Sequence, residues 1–214
     1  MQDSKGLRPY QTILTAGESE IVINKSRFLG YCLPVSSEQE VQQALVKLKK
    51  QHYDARHCCY AFRLAEGGIV RSSDDGEPSG TAGAPILNVL TGAKLENTLC
   101  AVVRYFGGVL LGTGGLVRAY GRAAGEAVEH AQIARMQLCA RLVVEVTYSS
   151  YSVLEPMFRT KGYDCQSEFH ERVKLMFTLP VEEARAFSAA ITERTDGTAI
   201  IQSLGETLLP CLIQ

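Results

Sequence analysis

The chain has 214 residues, of which 46% are hydrophobic and 21% charged, and its formal net charge is −1. Disorder needs few apolar residues and a large net charge, so this composition excludes it for the bulk of the chain. The total charge gives no pull toward a polyanion, so a nucleic-acid partner would have to be met by a local patch.

Met1–Gly6 carries no apolar core of signal-peptide length. No apolar run approaches the roughly 18 residues needed to span a bilayer. The expectation is a soluble, cytoplasmic protein without membrane contact. Residues 20–24 and 27–32 are rich in strand-formers. Ser37 with Glu40 three residues on predicts a capping box, and Val41, Leu45 and Leu48 follow at helical spacing toward Lys49-Lys50. Residues 57–64 read as a strand and 72–80 as turn. Thr81 to Leu90 reads as a short helix ended by Gly92, with Pro85 allowed only in or near its first turn. Thr98 to Phe106 is almost continuously apolar, which predicts a central strand covered on both faces. Leu116 to His130 is the clearest helix, with Leu116, Ala119, Tyr120, Ala123, Ala127 and Ala131 as its stripe.

A second region begins near Arg135. It reads as a strand over 142–148, a helix over about 150–160 and strands over 163–168 and 173–179. A helix over 182–193 and a strand over 198–204 complete it. Pro156 predicts a kink or a later start for the first helix. The order β-α-β-β-α-β is the ferredoxin-like pattern. The fold class is therefore α+β, with domains at 1–135 and 136–214. Seven cysteines sit mostly within apolar runs, with no C-x-x-C pair, as reduced and buried thiols do.

The two halves differ in charge. Residues 1–135 hold 15 Lys and Arg against 13 Asp and Glu, and residues 136–214 hold 7 against 10. A polyanion would meet the first half. Eleven of the 19 glycines lie between Gly76 and Gly125, more than a regular fold requires, which suggests unusual backbone angles or close approach of a partner.

Three segments there are candidates for chemistry. In Asp74-Asp75-Gly76-Glu77-Pro78-Ser79-Gly80-Thr81-Ala82-Gly83, three carboxylates fall within four residues. Oxygen ligands of this kind suit Mg²⁺, and the same residues suit a turn followed by a capped helix. The run Arg104 to Arg122 reads strand, glycine loop, helix. Gly107, Gly108, Gly112, Gly114 and Gly115 would let backbone approach a phosphate at a helix start. Arg118, read in the first helical turn, opposes the helix dipole, and Arg122 adds like-charge repulsion; a bound phosphate would relieve both. The segment lacks the Gly-Lys-Ser/Thr of a P-loop and the third glycine of a dinucleotide fingerprint. Arg104 would contact phosphate, and Tyr105 or Phe106 would stack on a base. In Asp54-Ala55-Arg56-His57-Cys58-Cys59, His57 and Cys59 share a strand face, so a nucleophile pair is one reading and a packed strand the other. His57 could equally line the glycine-rich surface. Lys25 and Arg27 supply further positive charge beside Phe28.

Lys25-Ser26-Arg27-Phe28, Asp54-Ala55-x-His57, Asp74 to Gly83, Val103 to Gly108 and Leu111-Gly112-x-Gly114-Gly115-Leu116-x-Arg118-Ala119-Tyr120 together resemble the Impact/YigZ family over essentially the whole chain. The resemblance implies an N-terminal domain of the ribosomal-protein-S-five second-domain type and a C-terminal ferredoxin-like domain similar to those of elongation factor G. Both folds recur in translation machinery. The eukaryotic relative restrains activation of a translation-initiation-factor kinase, and the bacterial members carry no settled activity, so no catalytic residue or cofactor transfers. The leading expectation is a non-enzymatic RNA- or ribosome-binding protein with a role in translation. The alternatives are a small-molecule kinase-like enzyme or phosphohydrolase, with Asp74, Asp75 or Glu77 on Mg²⁺, and a protein-interaction module in translation control.

Overall fold

The computed structural model describes residues 7–163 and 165–212; the reading of Met1–Gly6 lies outside them, as does Asp164 within the strand expected over 163–168. The chain divides into two compact units, one built on Tyr10–Arg135 and one on Met136–Cys211.

The first unit opens with β1 (Tyr10–Thr15), β2 (Gly17–Ile23) and β3 (Ser26–Pro34), followed by helix α1 (Glu38–Gln51). Then come β4 (His57–Arg63), a short 3₁₀ turn, β5 (Val70–Ser73), α2 (Gly83–Gly92), β6 (Thr98–Tyr105) and α3 (Gly112–Glu129). Five strands form an antiparallel sheet in the order β2-β3-β6-β4-β5. As the apolar run predicts, β6 is central, and its residues up to Arg104 are buried. Alternation along it sends Cys100 and Val102 into a core with α2 and α3, and Leu99, Ala101 and Val103 into a second core with Val41, Leu45 and Leu48 of α1. Ser37 caps α1 through the N–H of Glu40 (3.3 Å). The Glu40 carboxylate reaches back to the N–H of Ser36 (2.7 Å) rather than that of Ser37, so the box closes one residue early.

Four expectations shift. β1 and β5 are strands that turn chemistry and short length concealed. α3 begins at Gly112, not Leu116, because packing against the sheet overrides the poor helix propensity of three glycines in four residues. Arg118 accordingly lies in the second turn rather than the first.

The second unit contains α4 (Tyr148–Lys161), β8 (Cys165–Phe169), β9 (Val173–Pro180), α5 (Val181–Arg194) and β10 (Ile200–Leu212). Its first strand, β7 (Gln132–Val146), starts ten residues before the predicted one and runs through Arg135. The strand order β8-β9-β7 with β10 also on β7 is the ferredoxin-like arrangement. Leu142, Val144, Leu175 and Phe177 meet Leu154, Phe158, Phe187 and Ile191 of the helices in one core. α4 runs through Pro156 rather than starting after it, and ends on Gly162 at φ 66°.

Candidate functional site

The acidic turn and the glycine loop meet at one end of the first unit's sheet, and the β4–β6 register explains how. His57 lies opposite Arg104 on β6, and Arg104 lies opposite Phe28 on β3. All three therefore face the α3 side. The Arg104 guanidinium sits 5.4 Å from each of the Phe28 and Phe106 ring centroids. Tyr105, one residue on, faces the other side, where its hydroxyl meets His52 Nδ1 at 2.9 Å and Arg27 lies over its ring. Arg27 is further paired with Glu20 at 2.9 Å. Tyr105 and Arg27 thus do not join Arg104 in a common site, and Phe106 is the aromatic residue that does.

The three carboxylates of the turn diverge. Asp74 accepts the N–H groups of Gly80 (2.9 Å), Ala82 (2.9 Å) and Gly83 (2.8 Å), so it caps α2. Burial pushes its carboxyl up, and those three donors more than offset it, leaving the pKa below the ordinary carboxylate value. Asp75 accepts from Lys49 Nζ (2.8 Å) and the N–H of Cys58 (2.7 Å). There too burial raises the pKa, and Lys49 with the Cys58 N–H brings it below the usual range. The Glu77 side chain is only 4% exposed, and its Oε1 accepts from Arg104 Nη1 (2.6 Å) and the Tyr120 hydroxyl (2.8 Å). Each carboxylate thus serves a different structural partner, which corrects the expectation of a shared Mg²⁺ site. Among the described residues, no group of three or more His, Cys, Asp and Glu is placed to hold a metal ion.

The nucleophile reading of His57 and Cys59 also fails. Cys59 donates to the Asp74 carbonyl at 2.9 Å, and burial pushes the Cys58 thiol up to about 11 and the Cys59 thiol up to about 12. A thiol held protonated is a poor nucleophile. His57 Nδ1 lies 2.8 Å from the Asp75 carbonyl. A carbonyl only accepts, so Nδ1 carries the proton and Nε2 faces Glu77 Oε1 at 3.9 Å.

Beside this network opens a cleft of about 360 Å³, lined by Arg56, His57 and Arg104, by Phe106 and by Leu110 and Thr113 of the glycine loop. Sequence reasoning missed Arg56 as a site residue, although it adjoins His57. It is exposed, and its guanidinium lies 5.8 Å from the Phe106 centroid. Arg104 is only 5% exposed and is neutralised in large part by Glu77, so it is no free phosphate contact of the expected kind; its Nε, however, is buried without a hydrogen-bond partner.

The helix α3 starts at this cleft with no side-chain cap and no acidic residue in its first turn. α1 and α4 are capped by Ser37 and Thr147, α2 by Asp74, and α5 carries Glu182 and Glu183 in its first turn. The N–H groups of Gly112, Thr113 and Gly114 therefore lack the side-chain acceptors found at the other helix starts. Gly112 sits at φ 70°, a conformation that admits glycine most readily. A side chain on Gly107 would overlap the Lys25 backbone, so this glycine lets the end of β6 lie against the β2–β3 turn. Gly115 makes room for Leu111. Arg118 is exposed, and its Nη1 folds back to 3.6 Å from where a Cβ on Gly114 would lie. Arg122 instead pairs with Glu126 at 2.8 Å, which removes the expected repulsion.

No helix among the described residues is long and apolar enough to cross a membrane. The Impact N-terminal domain family matches residues 24–128, and a domain of unknown function (DUF1949) matches residues 144–198. The IMPACT family member YvyE of Bacillus subtilis (strain 168) is 41% identical over 199 residues, covering 92% of this chain and 91% of its own. The IMPACT family member YigZ of Escherichia coli (strain K12) is 31% identical, covering 86% of this chain and 92% of its own. A protein IMPACT homolog of Dictyostelium discoideum is 39% identical over 106 residues, 47% of this chain and 30% of that one. A solved structure described as that of an hypothetical protein superposes with a TM-score of 0.60 at 28% identity, over 92% of this chain and 98% of that chain.

Proposed function

The chain belongs to the IMPACT family, and we propose that it is a non-enzymatic protein that binds RNA, free or within the ribosome, through phosphate contacts, with a role in translation. One observation carries the reading: a long helix begins with its first N–H groups uncapped at an open cleft lined by Arg56 and Arg104, and Arg118 folds back to Gly114 in the helix's first turn. A helix start of this kind favours an anion. Lys25, exposed on the turn beside Gly107, extends the positive rim. The kinase-like alternative asks Asp74, Asp75 or Glu77 to hold Mg²⁺, and each already serves another partner.

Fluorescence anisotropy with labelled single-stranded RNA across a KCl series tests the proposal. Three to four phosphate contacts give a log–log salt slope of about −2 to −3. Replacing Arg56 and Arg118 together with Ala reduces the slope by about 1.4, since each lost contact on a single strand is worth roughly 0.7. RNA affinity absent at low salt, or a slope unchanged in the double variant, contradicts the reading.

A further inference from the structure

We infer that the cleft at the start of α3 is a subsite for one nucleotide carrying a terminal phosphate monoester, with the phosphate on the helix start and the base against Arg56 and Phe106. This rests on the phosphate-binding reading above and narrows it to a ligand chemistry.

Four features converge. The uncapped N–H groups of Gly112, Thr113 and Gly114 form one set of donors. Independently, the buried Arg104 lines the cleft with its Nε lacking any hydrogen-bond partner, a condition that among the described residues only the buried side-chain atom Arg172 Nε shares. Together with Arg56 and the Thr113 hydroxyl, these donors suit a monoester, which offers three terminal oxygens, better than an internal diester, which offers two. The third feature is size. At about 360 Å³ the cleft lies toward the lower end of the roughly 300–1,000 Å³ of small-molecule sites, which has room for a mononucleotide and none for a duplex. The fourth is its planar and apolar wall. The Arg56 guanidinium lies on the Phe106 ring, and Leu110, 85% exposed, stands beside them. Guanidinium planes and aromatic rings are what unpaired bases stack on. Glu77 also lines the cleft, and its Oε1 accepts from both Arg104 and Tyr120, which offset its charge.

The nucleotide has two possible sources, a free mononucleotide or the 5′ end of an RNA strand. Calorimetric titration of the full chain with adenosine 5′-monophosphate, adenosine and inorganic phosphate tests the site itself. The expected result is saturable binding of the monophosphate, tighter by about tenfold or more than either fragment, which is the order a stacked base adds to a phosphate contact. Thr113→Glu places a carboxylate on the exposed helix start and should abolish that binding without lowering the melting temperature, because an acid there favours the helix. Arg56→Ala should erase most of the advantage of the monophosphate over inorganic phosphate. Competition against a labelled oligoadenylate then identifies the source. A 5′-phosphorylated strand that displaces the monophosphate better than its 5′-hydroxyl counterpart points to RNA ends, and displacement by neither points to the free nucleotide; both support the site. A monophosphate that binds no tighter than inorganic phosphate, or that binds Thr113→Glu unchanged, overturns it. RNA binding indifferent to the 5′ phosphate, with no saturable binding of the monophosphate, overturns the subsite and leaves the phosphate-contact reading standing. Saturable monophosphate binding without any RNA affinity does the reverse.

Discussion

The acidic turn of residues 74–83 and the glycine loop of residues 106–115 both line one cleft and are both rich in glycine, but their hydrogen bonding is opposite. In the turn every carboxylate has its donors: three backbone N–H groups on Asp74, Lys49 and the Cys58 N–H on Asp75, Arg104 and Tyr120 on Glu77. In the loop the donors at the start of α3 have no side-chain acceptor. A glycine-rich segment is therefore assigned to structure or to binding by asking where its backbone and side-chain polar groups go, not by its composition.

The largest test of the contrast is Glu77→Ala. It strands the buried Arg104 cation, which should cost about 3–5 kcal/mol in urea denaturation, as breaking a buried pair does. A loss below about 1 kcal/mol, the range of exposed pairs, would show the turn to be less structural than it looks. Gly107→Ala drives a methyl into the Lys25 backbone, and overpacking of this kind costs about 1–3 kcal/mol; this separates a packing glycine of the loop from those at the proposed anion site. Asp74→Ala removes the cap of α2 and should cost about 1–2 kcal/mol. Acid should report the same carboxylates. Asp74 and Asp75 titrate below their ordinary value in the folded protein, so their contribution is complete above the unfolded value of about 3.9. It disappears as pH falls through the lower folded values. Stability measured from pH 6 down to 2 should decline over that lower window, and the decline should be shallower in Asp74→Asn. The smallest effect is expected at Gly114→Ala. The residue is helical with only Arg118 nearby, so stability should rise by about 0.5–1 kcal/mol while phosphate binding weakens. A loss of stability instead would mean that the loop, too, is structural.

Much of this was legible in the residues. The unbroken apolar run of β6 marks a strand with both faces covered, and Ser37 marks the start of α1. The β-α-β-β-α-β order marks the second unit. The start of α3 was hidden because Gly112, Gly114 and Gly115 oppose helix formation locally, and only packing of Leu116, Ala119 and Tyr120 against the sheet settles it. The opposite facing of Arg104 and Tyr105 follows from strand alternation alone and was available from sequence. The fates of Asp74, Asp75 and Glu77 were not, since their partners lie up to 43 residues away, as Tyr120 does from Glu77. Arg56 gave no signal beyond its place next to His57.

On the proposed function, the start of α3 is an anion site and the neighbouring turn is not. Titration of inorganic phosphate, followed by the backbone amide resonances of the full chain, tests it most directly. Saturable shifts are expected, largest at Gly112, Thr113 and Gly114, with Gly80, Ala82 and Gly83 unmoved because Asp74 already occupies their N–H groups. Shifts scattered over the surface without saturation, or equal movement at Gly80, Ala82 and Gly83, would contradict it.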